Sequence, residues 1–210
     1  MNPVTKHLSI LPFTLAALLF TNLAAGDGKS ANENPKPCPV APYGTLSMDE
    51  EFGYGAQAIT QCNRVRHNAK VVVSVGHPFL ISAGGTPNRA SARFFSNLDH
   101  MVKNYENVHG MTIGQDVDVV LVLVESGGVL AATQHATFNP VAGGAPVANP
   151  FIALVQEAMS KGIKVYLCQT AARSLGINMA NMIPGIQFVP GGHIAVADFE
   201  LQGYALISLL

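Results

Sequence analysis

The chain has 210 residues, of which 49% are hydrophobic and only 12% are charged, with a formal net charge of −1. This composition predicts a compact, well-buried domain and argues against an intrinsically disordered chain. The low net charge and the lack of a basic run argue against nucleic acid as a partner. Tryptophan is absent, so we expect no aromatic surface of the kind that stacks on sugars or bases.

The first 25 residues have the features of a cleavable export signal. One lysine precedes an apolar stretch over residues 8–20, and small residues up to Ala25 suit cleavage after that position. The apolar stretch is short for a membrane span and contains Pro12. We therefore expect a periplasmic or secreted protein with no stable membrane insertion after cleavage. An uncleaved membrane anchor is the alternative.

Residues 26–68 form a Pro/Gly-rich amino-terminal extension. Each proline in this segment biases the preceding residue away from helix, so extended or turn-like structure is expected. The chain has three cysteines, an odd number for an exported protein. A disulfide between Cys38 and Cys62 would leave Cys168 as a free thiol, but the sequence leaves the connectivity open.

From residue 69 to residue 210 the pattern is that of an α/β domain. Continuous apolar runs over residues 70–76 and 117–124 predict strands that are buried on both faces. Between them, apolar residues at helical spacing predict an amphipathic helix from about residue 88 to residue 107. Asn149 is the predicted N-cap of the next helix, and Pro150 suits its first helical position.

The second half continues the alternation of helices and strands. A strand over residues 163–167 is followed by a short helix, a strand over 186–189, a helix over 191–202 and a strand over 204–208. This order predicts a three-layer α/β sandwich with a mostly parallel, doubly wound sheet of about five strands. No G-x-G-x-x-G turn follows the first strand, so we expect no dinucleotide and no other cofactor.

Cys168 directly follows the predicted strand over residues 163–167. The carboxyl ends of parallel strands form the edge where open α/β sheets usually place their chemistry. A helix that begins just after the cysteine would favour the reactive thiolate through its unpaired backbone N–H groups and its positive end. The alternative is that Cys168 is a small buried apolar residue, as free cysteines often are.

Three segments occur in order in the second half of the domain: Gly162-Ile163-Lys164-Val165-Tyr166-Leu167-Cys168, Ile183-Pro184-Gly185-Ile186-Gln187-Phe188-Val189-Pro190-Gly191-Gly192 and Leu201-Gln202-Gly203-Tyr204-Ala205. Together they resemble the DsrE/DsrF-like family, which includes sulfur-relay proteins that carry sulfur as a persulfide on one cysteine. The resemblance implies a single α/β domain of the DsrE/YchN-like type, assembled as a homotrimer or hexamer. It also implies that Cys168 is the sulfur acceptor.

In that function, the Cys168 thiolate would take a sulfane sulfur from a donor and hold it until another thiolate removes it. The expected partners are a sulfur-donor or sulfur-acceptor protein, and the activity would be of the sulfurtransferase type. Gln169, Thr170 and Arg173 follow closely and could supply hydrogen bonds or positive charge. Helix capping or ordinary surface roles explain each of them as well.

There are three other interpretations: a metal site, a hydrolase and a binding module. A metal site could gather Cys168 or Glu125 with some of the histidines, but no H-x-x-x-H or C-x-x-C spacing supports one, and we expect no metal. A Ser/His/Asp hydrolase is disfavoured because Ser126-Gly127-Gly128 lacks the nucleophile-elbow pattern. The histidines in question are His77, His100, His109, His135 and His193.

The third interpretation is a non-catalytic oligomeric binding or accessory module of the same fold. The loop over residues 137–146 is long, apolar and rich in Pro and Gly, and such loops in compact domains are often functional. A sulfur carrier needs an accessible, acidic Cys168, whereas a binding module would tolerate its replacement.

Overall fold

The structure of the protein, a computed structural model, describes residues 68–79, 93–207 and 209. The predicted signal peptide and all but the last residue of the predicted extension lie outside this range. Cys38 and Cys62 also lie outside it, so their pairing stays a prediction. Within the described ranges, no helix is both long enough and apolar enough to cross a membrane.

The strands in the described part of the chain are β1 (Ala69–Val75), β2 (Val117–Leu123), β3 (Gln134–His135), β4 (Val147–Ala148), β5 (Lys164–Cys168), β6 (Gln187–Val189) and β7 (Ala205–Ile207). Five of them form a parallel central sheet, in the order β6-β5-β2-β1-β7. The apolar runs of the first two predicted strands lie at its centre because both faces of these strands are covered. The other two, β3 and β4, form a separate antiparallel pair.

Four α-helices lie between the strands in the described part of the chain. The first ends as a regular α-helix at Lys103 and continues as a π-helical turn over Asn104–Val108. A 3-10 helix, Glu125–Ala131, follows β2, and a shorter one, Ala136–Phe138, follows β3. The α-helices are α1 (Arg93–Lys103), α2 (Ile152–Ser160), α3 (Gln169–Ser174) and α4 (Gly192–Leu201).

The two faces of the sheet are covered by different helices. Alternate strand residues, such as Val71 and Val119, pack with the buried sides of α1 and α2 in the larger core. The strand residues between them, such as Val72 and Val120, pack on the opposite face with Val196 of α4. The predicted three-layer, doubly wound architecture is therefore confirmed, and its sheet is wholly parallel.

Asn149 caps the turn that leads into the helix and also has a second role, which the cap prediction did not include. The helix begins at Ile152, with Phe151 at the N-cap position. The buried Asn149 side chain donates from Nδ2 to the carbonyl oxygens of Leu130 (3.0 Å) and Ala132 (2.8 Å), and its Oδ1 accepts from the Phe151 N–H. These bonds satisfy carbonyls of an irregular buried segment, a need that helical periodicity does not reveal.

The turn after β2 packs tightly on the end of β1, and Gly127 makes this possible. A Cβ atom at Gly127 would overlap the carbonyl oxygen of Val75, whereas a Cβ at Gly76 would meet its nearest neighbour at an ordinary 3.5 Å. We predict that Gly127→Ala lowers the free energy of unfolding by about 2–3 kcal/mol, because backbone must move to admit the methyl group. Urea denaturation measures the change.

Gly76→Ala is the matched control for this prediction, and we expect it to change the free energy of unfolding by less than about 0.5 kcal/mol. Equal effects of the two substitutions would contradict the proposed tight packing at Gly127.

Candidate active site around Cys168

Cys168 is the last residue of β5 and the N-cap of α3. The predicted helix directly after the cysteine is confirmed. Because β5 lies between β2 and β6 in the sheet, the carboxyl ends of three neighbouring strands meet around the thiol. The residue is 7% exposed, so its thiol lies just below the surface at the edge of the sheet.

Hydrogen-bond donors converge on the Cys168 sulfur from two elements. The Gly192 backbone N–H, at the start of α4, donates to Sγ at 3.2 Å. Backbone N–H groups of Ala171 and Thr170, and the Thr170 hydroxyl, approach the sulfur from α3 and act to lower the pKa of the thiol, although the Cys168 side chain accepts no capping hydrogen bond from this helix. Burial raises the pKa of the Cys168 thiol, but these donors outweigh it, and the pKa lies below the usual value for cysteine. The arrangement favours the thiolate, which is the nucleophilic form.

Gly192 is a residue of the candidate site that sequence patterns did not single out. A Cβ at this position would overlap Cγ1 of Val124 and lie 3.1 Å from Cβ of Cys168. The absence of a side chain lets the Gly192 N–H reach the thiol. The Gly191-Gly192 pair after the β6 segment was the available sign, because adjacent glycines mark a close backbone approach.

A cavity of about 400 Å³ opens beside Cys168, a volume within the range of small-molecule sites. Most of its surface is apolar, and Ile194 at its edge is 77% exposed. The cavity can therefore admit a small molecule, or the tip of a partner's chain, to the sulfur. Its lining residues are Val124, Glu125, Cys168, Thr170, Ala171, Ser174, Gly191, Gly192, His193 and Ile194.

Glu125 and His193 form an ion pair at the rim of this cavity, with 3.6 Å between Oε1 of Glu125 and Nε2 of His193. Glu125 has a φ of 47°, a backbone conformation that non-glycine residues rarely adopt. The turn is held there because the Gly127 N–H and the Ser126 hydroxyl both donate to the carbonyl of Gly76, each at 2.9 Å. The end of β1 thus determines where the carboxylate lies.

The structure separates the residues that were predicted to assist Cys168. Thr170 contacts the sulfur and lines the cavity. Gln169 and Arg173 are exposed and lie outside the cavity lining. Gln169 and Arg173 are four residues apart and therefore lie on one side of α3. Thr170 and Ser174, also four apart, lie on a neighbouring side. The predicted roles of Gln169 and Arg173 stay predictions.

The histidines do not gather around one point. Only His193, among the five considered, lines the cavity, and His77 lies with Nδ1 3.3 Å from the Ser126 hydroxyl. That hydroxyl donates to Gly76, so its proton is directed away from the imidazole. Among residues 68–79, 93–207 and 209, no three His, Cys, Asp or Glu side chains are placed to share a metal ion.

Comparisons with known proteins show which family and which solved structures the chain is similar to. The model of the DsrE/DsrF-like family matches residues 79–209, more than half of the chain. No curated protein matches the sequence. Among solved structures, MTH1491 from Methanobacterium thermoautotrophicum, a protein of unknown function, is 15% identical with a TM-score of 0.48, covering 67% of this chain and 99% of its own. The YchN protein of E. coli is 16% identical with a TM-score of 0.40, covering 67% and 98%.

The hydrogen bonds to Cys168 lead to a prediction about its pH dependence. Only the thiolate reacts with iodoacetamide, so the rate rises as the pH increases through the thiol pKa. We expect the rate profile of Cys168 in the folded protein to lie at lower pH than that of the same residue in the urea-unfolded protein. Peptide mass spectrometry measures the alkylation at each pH.

Thr170→Val should move the folded profile towards higher pH, because it removes the hydroxyl donor and keeps the backbone N–H. Ser174→Ala is the matched control, since the Ser174 hydroxyl donates to the carbonyl of Ala171 at 2.9 Å. Coincident folded and unfolded profiles would show that the donors do not stabilise the thiolate.

Proposed function

Because this chain belongs to the DsrE/DsrF-like family, whose members include sulfur-relay proteins, we propose that it carries sulfane sulfur as a persulfide on Cys168. The observation that supports this proposal most directly is the set of donors on the Cys168 sulfur, which lowers the thiol pKa in spite of burial. The thiol also borders a cavity with room for a donor. The function requires no cofactor.

The chemistry follows from thiolate reactivity. The Cys168 thiolate attacks the outer sulfur of a persulfide or polysulfide, and the donor's inner sulfur leaves as a thiolate or thiol. The donor sulfur that is transferred becomes the outer sulfur of a persulfide on Cys168. A second thiolate then attacks that outer sulfur and restores the free cysteine.

The same N–H groups that favour the thiolate would hold the charged persulfide. Charge-assisted hydrogen bonds are stronger than neutral ones, so donors from α3 and from Gly192 suit an anionic sulfur at this position.

The proposal extends to compartment and partners. The predicted signal peptide would place the protein in the periplasm or outside the cell, and a sulfur-donor or sulfur-acceptor protein would exchange sulfur with it. The family resemblance also leads us to propose a homotrimer or hexamer.

Loading with polysulfide tests the carrier function. We expect the protein to gain the mass of one sulfur atom on the peptide that contains Cys168, and to lose it on treatment with a reductant. Cys168→Ser should abolish this gain, because serine offers no thiolate. Intact-mass and peptide mass spectrometry measure both results.

The matched control is the double variant Cys38→Ser/Cys62→Ser, which keeps Cys168 and should still load. A protein that takes up no sulfur at Cys168 while this residue remains reactive to iodoacetamide would contradict the proposal, because access and ionisation would then be intact.

A second candidate, a non-catalytic oligomeric binding module, is favoured by exposed apolar residues on α4. Ile194 and Leu201 are 77% and 88% exposed, and their spacing of seven places them on one side of the helix. α4 is also the helix that covers the second face of the sheet. Such a side suits contact with another copy of the chain.

For this candidate we predict that Leu201→Glu lowers the oligomeric mass in solution, because a buried unpaired carboxylate is costly in an interface. Light scattering coupled to gel filtration measures the mass. Met179→Glu, at another exposed apolar residue, is the control and should leave the mass unchanged. An unchanged mass for Leu201→Glu would exclude this side of α4 as the interface.

A further inference from the structure

We infer that His193 donates the proton to the leaving sulfur when Cys168 accepts a sulfane sulfur, and that Glu125 positions the His193 imidazole. This inference rests on the proposed function. It concerns two residues of the cavity rim that were considered in the sequence only as metal ligands.

His193 follows the residue that donates to the Cys168 sulfur. The N–H of Gly192 donates to Sγ of Cys168 at 3.2 Å, and His193 is the next residue along α4. Both residues line the same cavity as the thiol. A donor molecule that reaches Cys168 through this cavity therefore passes the imidazole.

Glu125 lies next to the His193 imidazole at the cavity rim. Its Oε1 lies 3.6 Å from Nε2 of His193. The backbone of the Glu125 turn is tied to Gly76 by two hydrogen bonds, so the carboxylate extends from a fixed point on the rim. An imidazole has two nitrogens, so one can face a carboxylate while the ring still exchanges a proton with a substrate.

The other polar groups of the cavity are already engaged. The Thr170 hydroxyl contacts the Cys168 sulfur, and the Ser174 hydroxyl donates to the carbonyl of Ala171. Neither hydroxyl gains and loses a proton near neutral pH, whereas an imidazole does. Among the described residues that line the cavity, His193 is the side chain suited to protonate a leaving thiolate.

The Cys168 thiolate attacks the outer sulfur of a persulfide R–S–SH, a new sulfur–sulfur bond forms at Cys168, and the donor's sulfur–sulfur bond breaks. The released pair of electrons stays on the inner sulfur, which takes a proton from the His193 imidazolium and leaves as R–SH. Cys168 becomes the persulfide Cys168–S–SH, and the neutral imidazole regains its proton from water. The oxidation of Cys168 equals the reduction of the donor, so no further oxidant is needed.

Thiol–disulfide exchange with two neutral disulfides tests this role, because it breaks the same kind of bond with the same nucleophile. Hydroxyethyl disulfide releases a basic alkyl thiolate that needs a proton, whereas dithiodipyridine releases a thiolate stabilised by its ring. We expect His193→Gln to slow the reaction of Cys168 with hydroxyethyl disulfide at least about 10-fold and that with dithiodipyridine less than about 2-fold. Quenched peptide mass spectrometry of the full chain follows Cys168.

Glu125→Gln should produce a smaller loss with the same selectivity for the alkyl donor, because it removes the group that orients the imidazole. His77→Gln is the matched control, since it removes a histidine from the same edge of the sheet but outside the cavity lining. We expect both rates to be kept in that variant.

Equal slowing of both reactions by His193→Gln would assign the residue a structural or access role and overturn the inference. So would unchanged rates with both disulfides. If wild-type protein loads sulfur from polysulfide but shows either of these results, the carrier function stands and only the role of His193 fails. If wild-type Cys168 takes up no sulfur, the carrier function fails as well.

Discussion

The hydrogen bond from the Gly192 N–H to the Cys168 sulfur joins the two parts of the protein on which the site depends. It connects the end of β5 with the beginning of α4, the helix that covers the second face of the sheet. It requires a residue without a Cβ, because Val124 fills the space that a side chain would occupy. The position of the thiol, the start of α4 and the cavity between them are therefore set together.

The electrostatics of the site combine a buried sulfur with a charged rim. Desolvation by itself would raise the pKa of the Cys168 thiol, and the donors from α3 and α4 outweigh it, so that the pKa is lowered. The two ionisable side chains of the cavity, Glu125 and His193, lie at its edge, where water still screens them. The cavity thus places a thiol in an apolar setting with two ionisable side chains at its edge, an arrangement that suits the sulfur transfer we propose.

Much of the fold was predictable because strong local patterns agreed with the tertiary structure. The apolar runs of β1 and β2, and the strand that ends at Cys168, need burial on both faces whatever their neighbours are. The boundaries were less predictable. Asn149 accepts from the Phe151 N–H as a cap does, but the regular helix begins only at Ile152, and the buried Asn149 side chain also donates to two carbonyls of another segment. Hydrogen bonds of this kind form only after folding, so local propensity does not predict them.

The sequence by itself determined the alternation of strands and helices, the parallel sheet and the position of Cys168 at a strand end, because each follows from periodicity over a few residues. The tertiary structure decided which residues surround the thiol. Because of the way α3 packs, Thr170 lines the cavity whereas Gln169 and Arg173 do not. Glu125, Gly192 and His193 reach the cavity from the ends of other strands. Those three lie far from Cys168 along the chain, and only the order of strands in the sheet makes them neighbours.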